Sequence, residues 1–444
     1  MKSYHGLRIS FFSLALVQAS LLVWGSDASV FVQLLAIFIS ASIGALLFLW
    51  VGLDQSFNSI SNCTIIGLAL ILRLVAAYAS PLLEDDHYRY LWDGFQTATT
   101  FNPYLQAPLV FFNEPTISAF WQDILYSINY PEVPTIYGPV LQGLFALGYK
   151  IEPGRIGALQ SILLLSDMGI LLLLMQQKIP IRSTLLYAIH PLILKESMAS
   201  AHPDILVGGL LLMALISWRN CHAIFVGIFL ALAVGTKISA LIVLPFLLAM
   251  PRGQGWNWCG RVGLSFLFVL CLCYLPFWVQ GGSDFKALSV FTQEWRFNPL
   301  VFRCVELLIH SGTKFVIAIL SLSALGLLFV RWRLFYSDAL PPLDYALLIL
   351  LFFSPVVNPW YGLWLIAPAL LLGRYWLAAS VSVLMLAYFN STVLLDSKLF
   401  AANDLVPAQF LVAWPFTLVQ ILLLLTVIAI EFISRNSHKT IGKV

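Results

Sequence analysis

Residues 81–104 read Pro-Leu-Leu-Glu-Asp-Asp-His-Tyr-Arg-Tyr-Leu-Trp-Asp-Gly-Phe-Gln-Thr-Ala-Thr-Thr-Phe-Asn-Pro-Tyr. The stretch follows an apolar segment that ends at Tyr78, and it carries three consecutive acids, Glu84, Asp85 and Asp86. Only 10% of the chain is charged. An ionisable group at or near a bilayer is costly and is by default a functional candidate. The aromatic residues that follow, Tyr88, Tyr90 and Trp92, suit a structured surface at the depth of lipid headgroups, where such rings are enriched. The bland alternative is that the acids lie in solvent and mark a helix end. The region therefore reads as the point where a membrane bundle meets a structured loop.

Working outward, the 444 residues are 60% hydrophobic and 14% aromatic, with a mean hydropathy of +0.90. Soluble domains run at about 45–50% apolar and about 25% charged. The apolar runs are continuous and close to the length of a bilayer crossing, which predicts an all-α polytopic membrane protein and excludes a β-barrel. A net charge of +3 and the absence of any basic block exclude nucleic acid as a partner. The six cysteines show neither a disulfide framework nor zinc spacing, and Cys271 and Cys273 fall inside a span, so they read as small core residues. The run after Lys2 and Arg8 reads as a retained first span, since a second apolar run follows by Val30.

Candidate spans are 9–25, 29–50, 63–80, 156–177, 183–199, 205–218, 222–236, 238–250, 262–279, 313–331, 343–356, 360–373, 376–393 and 410–432. Several fall below the ~20 residues that an upright crossing takes. Short spans broken by Gly, Pro or polar residues border cavities, because backbone exposed at membrane depth must be buried or hydrated. If the spans alternate, Arg219, Arg252, Arg261, Arg331, Arg333, Arg374 and the basic tail 435–443 share one side with Lys2, Arg8, Lys178 and Arg182, which is expected to be cytoplasmic. Left outside are 81–155, the turn Ser200–Asp204, the turn at Lys237, 280–312, the turn Asn358–Tyr361, and 394–409. This holds only if 134–150 does not cross but lies as a helix against the outer membrane surface; Lys150 and Arg155, left outside, oppose it. The chain is expected to be one domain, 1–444, in which 81–155 is an extracytoplasmic loop and 280–312 a second.

A loop as long as 81–155 is expected to be functional. It predicts a helix over about 86–99, a turn at Asn102-Pro103 and a second turn at Tyr130-Pro131-Glu132-Val133-Pro134. The unusual polar residues all fall on this side, among them Arg89, Glu132, Tyr137, Lys195, Glu196, His202, Asp204, Arg296, Asn298, Asn358 and Tyr361. Sugar transfer from a lipid phosphate to a hydroxyl needs a carboxylate to take the proton, cations to neutralise the departing phosphate, and an apolar groove for the tail. An ion-coupled carrier would also gather charges at membrane depth, so a secondary transporter or lipid flippase is the alternative; the lack of an internal repeat weighs against it.

The motifs Glu84–Gly94, Asn102-Pro103-Tyr104 and Tyr130–Pro139 resemble the first outer loop of GT-C glycosyltransferases, nearest to GT87-like bacterial polyprenol-phosphate-mannose-dependent mannosyltransferases and more distantly to the GPI mannosyltransferase I catalytic subunit. His190-Pro191 through Glu196 to His202-Pro203-Asp204, Gly235-Thr236-Lys237 and Asn358-Pro359-Trp360-Tyr361 extend the resemblance in order. It implies a GT-C-type bundle of about 13–14 spans in the plasma (inner) membrane. It also implies inverting transfer of a sugar, expected to be mannose, from a polyprenyl-phosphate donor to a lipid or glycan acceptor on the extracytoplasmic face. The catalytic base would be Asp85 or Asp86: the position relative to Arg89-Tyr90 favours Asp86, and an Asp-x-Asp reading places Asp85 first. Lys237 would sit near the donor phosphate, with His202 and Asp204 lining the same cavity, and Arg89, Glu132, Tyr137, Glu196 and Tyr361 complete the expected substrate-binding set. No cofactor is expected; this chain has Glu-Asp-Asp-His where many relatives carry Asp-x-Asp, so a divalent metal is possible but not supported by the motif. Simpler roles compete: Lys237 snorkelling to the interface, Asp204 capping the helix that follows it, and Arg296 and Asn298 stabilising the fold.

Overall fold

The computed structural model describes residues 2–100, 102–309, 311–389 and 414–441. Among them there are helices and turns, and one isolated parallel bridge between Phe297 and Val356. The first two helices, α1 (Lys2–Ser26) and α2 (Val30–Leu53), pack along each other. The third, α3 (Asn62–Ala77), crosses α1 and is capped by the Ser61 hydroxyl, which accepts from the Thr64 amide. Then comes the loop, with α4 (Asp86–Thr99), α5 (Ala119–Tyr126) and α6 (Pro139–Ile151). The helix expected over about 86–99 is α4, and the segment 134–150 contributes α6, whose thirteen residues are too few for an upright crossing.

Next follow α7 (Gly157–Gln176), α8 (Ile181–Ala188), a π-helical turn over Ile193–Ala199, α9 (Ile205–Arg219) and α10 (Ala223–Thr236). Beyond these lie α11 (Leu244–Leu248), α12 (Asn257–Trp278), α13 (Phe285–Glu294), α14 (Val301–Leu308) and α15 (Thr313–Phe335). The last described helices are α16 (Leu343–Phe353), α17 (Leu363–Leu371), α18 (Tyr375–Ser380) with its 3-10 continuation Val381–Tyr388, and α19 (Trp414–Ile441). One apolar core runs from Phe11 to Leu424.

The chain is an all-α, membrane-embedded protein: among the described residues, five helices are long and apolar enough to cross a bilayer, and eight shorter apolar helices accompany them. Thirteen of the fourteen expected spans coincide with these helices; the end of 376–393, the start of 410–432 and the whole of 394–409 lie outside the described residues. The exception is 183–199. There α8 stops at Ala188, the chain bends through His190-Pro191, and the π-helical turn begins at Ile193. Pro191 has no amide proton to continue the ladder.

The carbonyls freed by this break are satisfied by Arg73 of α3, which the sequence reading passed over. Its fully buried guanidinium donates to the Tyr187 carbonyl at 3.1 Å, to the Ala188 carbonyl, and to Asp167 of α7 at 2.5 Å. The Tyr187 hydroxyl donates to the other Asp167 oxygen at 2.6 Å. One buried ion pair thereby fastens α3, α7 and α8 and leaves few backbone groups wanting where lipid offers no replacement.

The loop has its own small core, in which Trp92, Ile124, Leu125 and Ile128 pack with Phe95, Phe111 and Trp121. Helix α4 lies against α6 closely enough that a Cβ on Gly94 would meet the Phe145 carbonyl oxygen at 2.4 Å. Gln142 of α6 donates to Asp93, Thr135 and the Tyr137 carbonyl. The turn at Asn102-Pro103-Tyr104 ties down the other side: Asn102 donates to the Phe277 carbonyl, and the Tyr104 hydroxyl donates to the Tyr137 carbonyl at 2.8 Å. These bonds fix the loop, and α4 in particular, over one end of the bundle.

Candidate active site

Distant pieces of chain meet at that end around a cavity of about 540 Å³. They are the N-terminus of α2 (Val30, Gln33), the loop residues 81–89 and 129–137, Lys237 at the end of α10, the Trp295–Phe297 segment, and Val356–Tyr361 with Tyr388. Backbone bonds from Phe297 to the Pro355 carbonyl and from Val357 to the Phe297 carbonyl hold the last two pieces together.

Glu84, Asp85 and Asp86 all face this cavity, because the chain turns at Leu83 (φ 55°) and α4 begins at Asp86. The two candidate bases differ. Asp86 accepts from the Tyr137 hydroxyl at 3.2 Å and lies 3.6 Å from His202 Nε2. Burial alone would raise its pKa, but His202, Lys237 and Tyr137 outweigh that and hold the carboxyl below the usual range. Asp85 accepts one bond, from Asn129 Nδ2 at 2.6 Å. Burial, and then the charge of Asp86, push its pKa up to about 6.

Glu84 joins the cavity wall to a buried network behind it. Its Oε1 lies 3.7 Å from the Lys195 ammonium and 2.5 Å from the Tyr388 hydroxyl, which is also 2.9 Å from Glu196 Oε1. Lys195 donates to Glu196 at 3.2 Å and to the Tyr388 oxygen. The Tyr388 hydroxyl has one proton and two carboxylates beside it. Burial, opposed by Lys195 and His202, pushes the pKa of Glu84 up to about 8.

His202 occupies the centre of the cluster, fully buried. Nδ1 is 3.3 Å from Glu196 Oε2, and Nε2 is 3.6 Å from Asp86 Oδ2 and 3.9 Å from Glu84 Oε2. Neither nitrogen makes an aligned hydrogen bond. Trp360 stacks on the imidazole, ring centroids 3.9 Å apart and planes 14° from parallel. Burial disfavours the imidazolium, but the surrounding carboxylates more than compensate and raise its pKa to about 9.

Lys237 is not snorkelling. Its side chain is 14% exposed, its ammonium 3.7 Å from Asp204 Oδ1 and within 5.2 and 5.4 Å of the Tyr137 and Tyr361 ring centres. Gly138 makes this possible: a Cβ there would meet the Gly235 carbonyl oxygen at 2.2 Å, so only glycine lets the loop rest on the end of α10. Asp204 is not a cap either. It precedes α9, but its carboxylate accepts from the Trp364 indole at 2.7 Å and makes no bond to the helix amides. Tyr361 stacks on the same Trp364.

Other expected site residues land elsewhere. Arg89 faces the cavity but spends itself on structure, pairing with Asp93 at 3.9 Å and donating to the Val133 carbonyl at 2.5 Å. Glu132 is exposed and outside the lining. Glu196, His202 and Asp204 lie behind the wall rather than in it. Arg296 pairs with Glu306, and Asn298 (φ 45°) bonds the Val357 carbonyl and Gln420 of α19, both structural roles. Glu84, Trp360 and Tyr388 are members of the cluster that the reading of individual residues did not assign. A tyrosine inside an otherwise apolar run was the available signal for Tyr388.

Residues 11–252 match the model of the MptA_B family, described as alpha-(1->6)-mannopyranosyltransferase, N-terminal domain. No curated protein and no solved structure matches the chain. The matched part holds Glu84, Asp85, Asp86, His202, Asp204 and Lys237; Trp360, Tyr361 and Tyr388 lie beyond it.

Proposed function

Because the chain belongs to the alpha-(1->6)-mannopyranosyltransferase family, whose model covers more than half of it, and is therefore a membrane-embedded glycosyltransferase, we propose that it transfers mannose from a polyprenyl-phosphate donor to a hydroxyl of a lipid or glycan acceptor, forming an α-(1→6) linkage on the extracytoplasmic face. The observation that carries this reading is the meeting, in one cavity, of the Asp85/Asp86 pair with the aromatic-walled ammonium of Lys237. Family membership sets aside the carrier alternative.

Asp85 is the base. Asp86 is engaged through Oδ2, which accepts from Tyr137 and lies 3.6 Å from His202 Nε2, and its pKa is held low; Asp85 accepts from Asn129 through Oδ1, and its pKa, pushed up to about 6, is nearer to that of a working base. Asp85 takes the acceptor hydroxyl proton, the acceptor oxygen bonds to the anomeric carbon, and the bond from that carbon to the phosphate oxygen breaks on the opposite face. The electron pair stays on the phosphate, whose growing charge Lys237 offsets.

The polyprenyl chain lies in an apolar groove of about 400 Å³ between α2, the Val381–Tyr388 segment and α19. Its lining includes Ile37, Ala41 and Phe48, a few turns along α2 from Val30 and Gln33 of the cavity, and Phe389, next to Tyr388. The opposite end of the bundle gathers basic residues, Arg252 pairing with Asp338 and Arg333 donating to the Met250 carbonyl, which supports a cytoplasmic orientation for it.

The test is purified protein incubated with labelled polyprenyl-phosphate-mannose and an acceptor. Asp85→Asn should lower transfer by about 10²–10⁴-fold with folding retained. A fully active Asp85→Asn with an inactive Asp86→Asn moves the base to Asp86. Activity in both sinks the mechanism.

A further inference from the structure

The carboxylates around His202 outnumber the cations. Glu84, Asp85, Asp86, Glu196 and Asp204 crowd the cluster, and Lys195 and Lys237 are the cations that reach them, Arg89 being paired with Asp93. Three donor atoms, one each from Glu84, Asp86 and His202, lie within 4.8 Å of one another.

Two features go beyond a mere gathering of acids. First, His202 is completely buried, its Nε2 is aimed between Glu84 Oε2 and Asp86 Oδ2 at 3.9 and 3.6 Å, and it makes no aligned hydrogen bond. Second, its other nitrogen faces Glu196 Oε2 at 3.3 Å, and Glu196 is itself held by Lys195 and Tyr388. Histidines that bind metals present their second nitrogen to a carboxylate in this way, which fixes the tautomer and the ring. Trp360, stacked on the imidazole, fixes it further.

We propose that Glu84, Asp86 and His202 form a divalent-cation site in the cavity wall, which the sequence motif does not by itself support. One imidazole nitrogen and two carboxylate oxygens, with the remaining positions open, suit Mn²⁺ better than a closed structural zinc site. Glu84 and Asp86 line the cavity, so the open positions face it and accept water or an oxygen of the donor phosphate. This use of the ion rests on the transferase reading; the site itself does not. Asp85 is left free of the ion, and Lys195, on the far side of Glu84, orients that carboxylate.

The test is a titration of chelator-stripped, detergent-purified full chain with Mn²⁺, followed by the electron-paramagnetic-resonance signal of the free ion, with no substrate present. Saturable binding of a single Mn²⁺ per chain is expected, lost in His202→Ala and in Glu84→Gln. Glu196→Gln, which keeps all three ligands, should weaken binding by about 10–100-fold. Glu132→Gln, an exposed carboxylate outside the cavity lining, should bind as wild type, which controls for adventitious binding to surface acids. Saturable binding without sugar transfer upholds the site while sinking the transferase mechanism. Absence of saturable binding to the folded wild-type chain, with transfer undiminished by chelator, overturns the site and leaves His202 as a protonated counter-charge.

Discussion

Replacing Lys237 by Gln tests the electrostatic core of the mechanism. The ammonium sits 3.7 Å from Asp204, mostly sheltered between Tyr137 and Tyr361. Two unit charges about 4 Å apart are worth about 4 kcal/mol at an effective dielectric of about 20. If roughly half a charge has moved onto the phosphate at the transition state, about 2 kcal/mol of this is felt only there, and kcat falls about 30-fold. The part already present in the bound donor appears in KM. The variant also leaves Asp204 buried without its cation, so it should melt earlier, and adding Asp204→Asn should restore stability without restoring kcat. Transfer kinetics at saturating donor, with melting of the single and double variants, separate the two effects. A kcat within about threefold of wild type would refute the placement of Lys237 at the leaving group.

Three further outcomes follow from the packing. Gly138→Ala should push the loop off the end of α10, since the new Cβ would meet backbone at 2.2 Å; a loss of about 1–3 kcal/mol in chemical denaturation and a raised donor KM are expected. Ala41→Trp, in the apolar groove, should raise KM for long-chain donors and leave a short-chain soluble analogue unaffected, and equal effects on both would remove the tail from that groove. Arg73→Leu or Asp167→Asn alone should destabilise by about 3–5 kcal/mol, read by thermal unfolding in detergent, because each leaves a buried partner unpaired.

Helix positions were legible because apolar runs are long and the bilayer leaves backbone few alternatives. The break inside 183–199 was not: its run is as apolar as its neighbours, and what interrupts it is Pro191 together with carbonyls satisfied by Arg73, more than a hundred residues away. The acids at 84–86 announced the site because charge is scarce there. What sequence left open was the division of labour among them. Asp85 and Asp86 are neighbours in the chain but see different surroundings, Asn129 for one, Tyr137 and His202 for the other. That difference comes from residues 44 and 51 positions downstream and from one more than a hundred away. Lys237 and Asp204 could equally have been a snorkelling cation and a helix cap; Gly138 and Trp364 decide otherwise.

The Tyr388 hydroxyl, bridging Glu84 and Glu196, comes from the last third of the chain, as do Trp360 and Tyr361. A fragment ending near residue 252 would keep every acid of the reaction centre and lose its back wall, flooding His202 and Lys195 with water. The two halves of this polypeptide are thus interdependent, and co-expressing them as separate pieces should regain sugar transfer only if the later piece docks and seals that wall.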